Sequence, residues 1–351
     1  MVASFLRLLR KVIIRTPADD RCVLVFATTA IGDSIMMSSC IRLLGEAGFN
    51  IYLVAGKAAV TVLGDHEAIK KTFHYRRGWF RALPMVWPIW KANCSRALVL
   101  HVSDSAAWML ASVGAELRSF CGTSLRHQKP NFDVSWIDDS AAPHIAEKYC
   151  LVAISALGIN IPYTLRNEIF NRNFRNRSCH KSNPKRSAIG LVPGAQNFYK
   201  CWPVKNFLQL GIELENRGFE IFIFGTQHES DRISVLSTGL PRAKVFSGSL
   251  EEVFVALQRL DCIISGDTGL MHIADAVGCP VVGLFSATPS FLARPLNTKL
   301  SRVIHKPVTC FPSTTFRITE TTCYNKSCGN PICMKQISVD EVLGKVIDLC
   351  G

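Results

Sequence analysis

Short apolar runs alternate with helical patterns through the first half of the chain. Unbroken apolar runs predict buried strands at residues 22–27, 50–55 and 97–102. Apolar positions recurring at helical spacing predict helices at residues 31–46 and 143–157. Strands that are apolar on both faces and separated by helices are typical of a parallel sheet covered by helices on both sides.

The same alternation resumes after a polar stretch. Residues 171–187 hold six Lys or Arg, no acid and almost nothing apolar, which is typical of an exposed linker. Beyond it we predict strands at 188–192, 219–224, 262–265 and 280–285, and helices at 204–217, 250–260, from Leu270 and at 339–349. The last helix could cross back to the first half. The chain is therefore predicted to form two domains, residues 1–170 and 188–351, with ligands in the cleft between their parallel sheets.

Composition narrows the class of protein. A chain of 351 residues that is 48% hydrophobic and 19% charged can bury two cores, which excludes a disordered, collagen-like or coiled-coil protein. Its 14 cysteines are too sparse for a disulfide scaffold. Most stand singly in apolar runs, as small buried hydrophobic residues would: Cys22, Cys40, Cys150, Cys262 and Cys279. We therefore expect reduced thiols and a cytoplasmic location, and no apolar run is long enough for a membrane-spanning helix.

The excess of positive charge favours an anionic partner. Lys and Arg number 40 against 27 Asp and Glu, and the excess leans towards the first half, with 21 against 13. A nucleotide, a nucleic acid or an acidic membrane surface would each fit this excess. Residues 1–15 spread cations among short apolar stretches, and both a helix lying on a membrane and a helix packed on the domain fit them.

Residues 70–91 interleave aromatic rings with Arg and Lys. Such a segment suits a bilayer interface or the sugar and phosphate of a lipid-linked acceptor. A partly buried hairpin with solvated cations fits it equally well. The sequence does not show which of Arg76, Arg77 and Arg81 would touch an acceptor.

Three strand-to-helix turns carry candidate chemistry. In the first, Gly32 allows a tight turn and Asp33 begins the next helix, as a helix cap or as a base for a hydroxyl nucleophile. In the second, Lys200 could neutralise a diphosphate, although a lone turn lysine is usually just solvated. This turn lacks the ending of a Walker A loop, and no G-x-G-x-x-G follows the first strand.

The third turn covers residues 265–272. Gly266 and Gly269 leave backbone amides exposed at a helix N-terminus, which is an anion site. Asp267 could accept hydrogen bonds from sugar hydroxyls and Thr268 could donate to a phosphate. The alternative is an Asp helix cap with a buried His272.

In their order along the chain, these motifs resemble glycosyltransferase family 9, the ADP-heptose:lipopolysaccharide heptosyltransferases. The likeness rests on G-D-S, P-G-A…K-x-W-P, F-G-T-Q-H-E and S-G-D-T-G-L-M-H, with residues 144–149 and 333–337 similar as well. It implies a GT-B fold, two Rossmann-like domains facing a central cleft, with the acceptor bound by the first and the nucleotide-sugar by the second. It further implies an inverting transfer that needs no metal and no cofactor.

The resemblance also assigns residues. Asp33 would be the general base, and Lys200 would bind the donor diphosphate and stabilise the departing ADP. Glu229 would hold the ribose hydroxyls and Asp267 the heptose hydroxyls. The remaining implied substrate-binding residues are Gly32, Ser34, Gly194, Thr268, Gly269, Leu270, Met271 and His272.

The implied partners are ADP-heptose, an anionic lipid-linked saccharide and the cytoplasmic face of the inner membrane, without nucleic acid. Three alternatives stay open: a family member with another donor or acceptor, a basic nucleic-acid-binding protein, and an inactive scaffold, which the joint presence of Asp33, Lys200 and Asp267 disfavours. The close spacing of Cys310, Cys323, Cys328 and Cys333 permits a structural zinc site. Reduced, partly buried cysteines are the simpler expectation, and catalysis would use no metal.

Overall fold

The computed structural model describes residues 10, 13–14, 17–28, 30–101, 105–120, 134–137, 142–171, 187–286, 288–306, 308, 328 and 330–350. The chain divides into two compact units. One comprises Met1–Arg172 with Arg317–Thr319, and the other Asn173–Phe316 with Glu320–Gly351. Nearly all of the expected linker, most of residues 1–15, and Cys310 and Cys323 lie outside the described residues.

The first unit contains a six-stranded parallel sheet. Its strands are β1 (Asp19–Ala27), β2 (Asn50–Ala55), β3 (Ile69–His74), β4 (Cys94–His101), β5 (Glu116–Phe120) and β6 (Val134–Ile137). Its helices are α1 (Ile31–Met36), α2 (Ser38–Glu46), α3 (Lys57–Leu63), α4 (Trp79–Ala82), α5 (Val86–Ala92), α6 (Ser105–Gly114) and α7 (Ile145–Leu157). The strand order is β3-β2-β1-β4-β5-β6.

The second unit repeats this plan. Its strands are β7 (Ala188–Val192), β8 (Glu220–Phe224), β9 (Lys244–Phe246), β10 (Cys262–Gly266), β11 (Val281–Phe285) and β12 (Ser301–His305). Its helices are α8 (Val204–Asn216), α9 (Ser230–Gly239), α10 (Leu250–Leu257), α11 (Gly269–Val277), α12 (Ser290–Ala293), α13 (Ile332–Lys335) and α14 (Val339–Cys350). The order β9-β8-β7-β10-β11-β12 is again wholly parallel.

Both sheets thus have the doubly wound order of a Rossmann fold, and together they form the predicted GT-B fold. In this strand order, the second and third strands lie on one side of the first strand, and the later strands lie on its other side. The switch point is between β1 and β4 in the first sheet and between β7 and β10 in the second. The loops leaving the carboxyl ends at such a switch point diverge and leave room for a ligand. The fold therefore directs attention to the loops after β1, β7 and β10.

The central strands could be predicted from the sequence because they are buried. Residues 22–27 of β1 are all buried, as are residues 262–266 of β10, so these strands carry no polar alternation. The predicted helix 31–46 is interrupted at Met37, although its amide still donates to the carbonyl of Asp33 at 3.0 Å. None of the described helices has both the length and the apolar character to cross a membrane.

The last helix stays with the second unit. Val339, Val342 and Val346 of α14 are buried in the core that lies against the second sheet. Just before this helix, the carbonyl of Ile337 accepts a hydrogen bond from Nε1 of Trp202 at 3.0 Å. The expectation that residues 339–349 could cross back to the first domain is wrong, because the apolar face of α14 is needed to cover this core.

One cysteine expectation also needs correction. Cys22 on β1 is not an isolated thiol, because it forms a disulfide with Cys94 on the neighbouring strand β4. The two cysteines lie 72 residues apart in the chain and meet because β4 pairs with β1. The other predicted buried thiols are free and buried as expected: Cys40, Cys150, Cys262 and Cys279.

Candidate functional site

Three loops at one edge of the second sheet carry the polar residues predicted from the sequence. The loop after β7 holds Gly194 and Lys200, the loop after β8 holds Glu229, and Asp267 directly follows β10. Because β8, β7 and β10 are neighbours in a parallel sheet, their carboxyl ends bring these residues to the same edge.

Lys200 and Asp267 form a partly buried ion pair there. Nζ of Lys200 donates to Oδ2 of Asp267 at 2.5 Å, and their side chains are 21% and 12% exposed. Burial alone would raise the pKa of Asp267. The charge of Lys200, its hydrogen bond and the nearby His272 outweigh burial and hold that pKa well below its ordinary value. Asp267 is therefore ionised, and it fixes the ammonium of Lys200 close to the start of α11.

His272 is the third member of this cluster. Its Nε2 lies 3.8 Å from Oδ1 of Asp267, whereas Lys200 contacts Oδ2, and the side chain of His272 is buried. Nδ1 of His272 has no hydrogen-bond partner within the described part of the chain. His272 is thus buried, as one alternative held, and it also faces the carboxylate of the site.

The cap of α11 is Thr268 rather than Asp267. Oγ1 of Thr268 accepts a hydrogen bond from the amide of Met271 at 3.4 Å and lies 3.0 Å from Oγ of Ser265. Because Thr268 supplies the capping oxygen, the Asp267 carboxylate remains directed at Lys200 and His272. The Asp cap considered from the sequence is wrong at this position.

Glycine at position 266 lets two loops approach each other. A Cβ built on Gly266 would stand 2.9 Å from the carbonyl oxygen of Lys200, closer than side chains tolerate. The backbone carrying Lys200 therefore packs directly against the end of β10. This contact places the lysine next to Asp267.

Gly269, Leu270 and Met271 also belong to the third turn, but their surroundings differ from one another. Gly269 begins α11, and Leu270 lines a cavity. Met271 is fully buried in the core, so only its backbone can contribute to a site. The first-turn amides of α11 point towards the sheet edge, where a helix N-terminus favours anions.

Glu229 is the candidate residue in the loop after β8. Its Oε2 accepts hydrogen bonds from the amide of Thr226 at 2.8 Å and from Oγ1 of Thr226, a capping box for the short helix Gln227–Glu229. The side chain crosses Gly194, where a Cβ would overlap it. Glycine at position 194 therefore makes room for Glu229 at the sheet edge.

Two cavities adjoin Glu229 and share the backbone of residues 194–196. One of about 200 Å³ has mostly apolar walls: Val192, Phe224, Phe246, Val253 and Leu270, with Gly194, Ala195, Gln196, Gly225, Thr226, Glu229, Gly248 and Thr268 completing it. The other, of about 650 Å³, is lined by Gly194, Ala195, Gln196, Phe198, Cys201, His228, Glu229, Asp231 and Arg232. The smaller cavity joins an apolar slot to a carboxylate, an arrangement that suits a flat ring bearing hydroxyl groups.

The first unit carries its candidate residues in the turn after β1. Asp33 is half-buried in the first turn of α1, whose cap is Ala30 and has no side-chain cap bond. Asp33 is therefore not the helix cap considered from the sequence. Gly32 and Ser34 are buried, and Oγ of Ser34 donates to the carbonyl of Ala30 at 2.9 Å.

A buried tyrosine lies within the electrostatic reach of Asp33. Tyr149 on α7 is fully buried, and burial together with the charge of Asp33 raises the pKa of its phenol well above the ordinary value. His144 caps the same helix, since its Nδ1 accepts from the amide of Ala146 at 3.1 Å. The motif at residues 144–149 thus begins α7 and places Tyr149 within reach of the Asp33 charge.

Comparison with known proteins decides the family. The model of glycosyltransferase family 9 (heptosyltransferase) matches residues 91–320, well over half of the chain. The chain belongs to glycosyltransferase family 9. The resemblance drawn from the motifs is confirmed.

Relatives within the family agree. The chain is 26% identical over 225 residues to lipopolysaccharide heptosyltransferase 2 of Escherichia coli K12, covering 60% of this chain and 64% of that protein. It is 28% identical over 128 residues to the protein of the same name from Salmonella typhimurium, covering 34% and 36%. These matches span less than two thirds of either relative.

Solved structures share the fold. The structure of E. coli ADP-heptose lps heptosyltransferase II matches with a TM-score of 0.69 at 19% identity, covering 93% of this chain and 98% of the other. E. coli heptosyltransferase WaaC with ADP matches with a TM-score of 0.68 at 17% identity, covering 93% and 99%. A family 9 glycosyl transferase from Veillonella parvula gives 0.73 at 17% identity, covering 95% and 98%.

In this family 9 glycosyltransferase, sequence reasoning missed Arg232 and Phe246. Nη1 of Arg232 donates to the carbonyls of Pro193 and Trp202 at 3.1 and 3.2 Å, so it ties α9 to the loop that holds Lys200. The spacing of Arg232 one turn after Glu229 could have suggested a shared face. Phe246 lies on the three-residue strand β9, whose pattern is too short to recognise.

No group of three or more His, Cys, Asp or Glu in the described ranges could hold a metal ion. The zinc hypothesis depends on Cys310 and Cys323, which lie outside those ranges. Of the other two cysteines, Cys333 is buried and Cys328 is half-buried.

Proposed function

We propose that this chain transfers heptose from ADP-L-glycero-D-manno-heptose to the lipopolysaccharide inner core, with inversion and without a metal. Family membership and the names of the relatives support this reaction. The observation that carries it is the cluster at the second sheet edge. There Asp267 holds the ammonium of Lys200 just before α11, and Thr268 and Glu229 line the smaller cavity.

The smaller cavity would take the adenosine of the donor. Phe224 and Phe246, whose ring centroids are 5.2 Å apart, form part of an apolar slot for the base. The carboxylate of Glu229 would accept hydrogen bonds from the ribose hydroxyls. A carboxylate suits a diol because both hydroxyls can donate to it.

The diphosphate would lie between Lys200 and the start of α11. Charge accumulates on ADP as its bond to the anomeric carbon breaks, and a fixed cation and amide dipoles stabilise that charge. Thr268 and the amide of Gly269 would bind the phosphates. Asp267, which positions Lys200, would also accept hydrogen bonds from the heptose hydroxyls, with His272 holding the carboxylate in place.

The turn after β1 would supply the base. Asp33 would take the proton from the attacking acceptor hydroxyl, whose oxygen forms the new bond to the anomeric carbon as ADP departs. Asp267 suits this role poorly, because a carboxylate with a strongly lowered pKa is a weak proton acceptor. Residues 1–170 would therefore serve the acceptor, with Gly32 and Ser34 beside the base, and residues 188–351 the donor.

The acceptor would be an anionic, lipid-linked saccharide at the cytoplasmic face of the inner membrane. The excess of positive charge in the first half fits such an acceptor. A lipid-anchored acceptor requires the enzyme to work at a membrane surface, so we propose a peripheral association.

A donor screen tests the proposal. The purified chain would be incubated with a deacylated core acceptor and ADP-heptose, UDP-sugars or GDP-sugars, and the product followed by mass spectrometry. We expect a product only with ADP-heptose, and turnover should persist after chelation of metals. Transfer from another nucleotide-sugar would instead assign the chain to the same fold with a different donor.

A further inference from the structure

Two short helices of the first unit present an apolar face to solvent. Along α4, the turn Leu83–Met85 and α5, four large apolar side chains are exposed by 44%, 92%, 46% and 46%: Trp79, Phe80, Leu83 and Trp87. Residues at these spacings fall on one side of a helical segment. They therefore form a continuous surface rather than scattered exposed residues.

The opposite side of the same segment is already used for packing. Ala82, Val86, Ile89 and Trp90 are buried, and α4 and α5 both pack against α6. The fold thus needs only one of the two apolar sides. The expectation of a partly buried segment with exposed cations is confirmed for residues 70–91, and contact with a bilayer or an acceptor stays a prediction.

Cations surround the exposed side. Residues 68–93 contain no Asp or Glu. The exposed cations are Lys70, Lys71, Arg76, Arg77, Arg81 and Lys91, and none of them forms an ion pair with a described residue. Nζ of Lys91 lies 5.1 Å from the ring centroid of Trp87, so charge and aromatic surface are directly adjacent.

No comparable run of exposed large apolar residues occurs in the described ranges of the second unit. Its exposed apolar residues stand apart along the chain, as Val235 on α9 and Ile347 on α14 do. Large exposed apolar patches mark contacts with a partner or a membrane. The difference assigns a contact function to the first unit.

We propose that the aromatic–basic patch, Arg76, Arg77, Trp79, Phe80, Arg81, Leu83, Trp87 and Lys91, docks on an anionic lipid bilayer. Trp79, Phe80, Leu83 and Trp87 enter the boundary between headgroups and acyl chains, and the cations bind lipid phosphates. The aliphatic Leu83 between the rings suits lipid better than stacked bases. This inference rests on the proposed function for its purpose, which is to bring the enzyme to a lipid-anchored acceptor.

Vesicle co-sedimentation of the full chain tests the patch. We expect binding to vesicles of equimolar phosphatidylcholine and phosphatidylglycerol, weak binding to phosphatidylcholine alone, and weakening by salt. The double variant Phe80→Ser/Trp87→Ser should bind the anionic vesicles about tenfold more weakly. The matched control Val235→Ser/Ile347→Ser, which removes two exposed apolar residues of the second unit, should bind like the unmodified chain.

Activity separates docking from catalysis. The Phe80/Trp87 variant should retain its turnover on a deacylated, water-soluble acceptor and lose turnover on acceptor embedded in anionic vesicles. Unchanged vesicle binding by this variant would overturn the proposal, as would release of the chain from vesicles by a random oligonucleotide. If no heptose is transferred to either acceptor but the vesicle results hold, the proposed function fails and the docking surface stands.

Discussion

The two sheets share one strand order, yet their carboxyl edges carry different chemistry. In the first unit the turn after β1 presents Asp33, half-buried in the first turn of α1. In the second unit the turn after β10 presents Asp267, which is also partly buried but lies between Lys200 and His272. The same topology therefore places a carboxylate at each switch point, and the neighbours decide what that carboxylate can do.

This difference suits the two carboxylates to different roles. Asp267 is fixed in its ionised form by a cation, which suits it to hold Lys200 and to accept hydrogen bonds. Asp33 lies in the first turn of α1 within electrostatic reach of the buried Tyr149, and we propose that it serves as the proton acceptor for a hydroxyl. We therefore expect substitutions at the two sheet edges to have separable effects.

The largest effect should come from Asp33→Asn. Removing the base should lower turnover by about a thousandfold or more, because positioned general bases contribute in this range. Turnover with ADP-heptose and deacylated acceptor measures it. The exposed Asp20→Asn is the matched control and should behave like the unmodified chain. A rate within a few-fold of normal for Asp33→Asn would refute the base assignment.

Next in size is Lys200→Ala. Loss of the cation should lower kcat about a hundredfold, since the leaving diphosphate loses a preorganised charge. Steady-state kinetics over a range of donor concentrations would show whether kcat falls rather than only KM. Lys205→Ala removes an exposed lysine on α8 and should change neither constant. If both lysine variants behave alike, Lys200 has no role in catalysis.

A smaller effect is expected from Gly266→Ala. The added Cβ would press on the carbonyl of Lys200 and displace its loop, so kcat/KM should fall about tenfold by misplacement of the cation. Gly344→Ala, on α14 with open space around the position, is the matched control. Kinetics at normal values for Gly266→Ala would show that this close approach does not position Lys200.

The ion pair should also appear in the pH dependence of stability. Because the folded-state pKa of Asp267 lies below its unfolded value, its stabilisation is present above about pH 4 and is lost as pH falls through the folded pKa. Asp267→Asn should lower the unfolding free energy by about 2 kcal/mol at neutral pH, since it removes the partly buried ion pair with Lys200. Urea unfolding should show this gap narrowing in acid.

The exposed Asp340→Asn serves as the control for that experiment and should leave the unfolding curve nearly unchanged at both pH values. A gap for Asp267→Asn that is constant from neutral to acid pH would contradict the ionised pair.

Much of the fold was readable because its central strands are buried on both faces. The strands at residues 50–55 and 188–192 were predicted with the bounds that the structure shows. Edge strands were not readable: in β3 the exposed Lys70 and Lys71 hide the apolar pattern, as is common at sheet edges. The three-residue β9 gives no pattern at all.

The turns that carry the candidate site residues could be predicted from the sequence, but the contacts between those residues could not. Lys200 and Asp267 are 67 residues apart, and only the pairing of β7 with β10 brings their loops together. The same holds for Cys22 and Cys94, whose strands become neighbours through the doubly wound order. Arg232 and Phe246 enter the site through a helix face and an edge strand that local patterns do not reveal.

Titration of ADP into Asp33→Asn and Glu229→Gln tests most directly whether the second unit binds the donor while the first supplies the catalytic base. Glutamine at position 229 can still accept the capping hydrogen bond from Thr226, so the loop should keep its shape. We predict that calorimetry gives Asp33→Asn the ADP affinity of the unmodified chain and Glu229→Gln an affinity about tenfold lower. Equal loss of ADP binding in both variants, or normal binding by Glu229→Gln, would contradict the account.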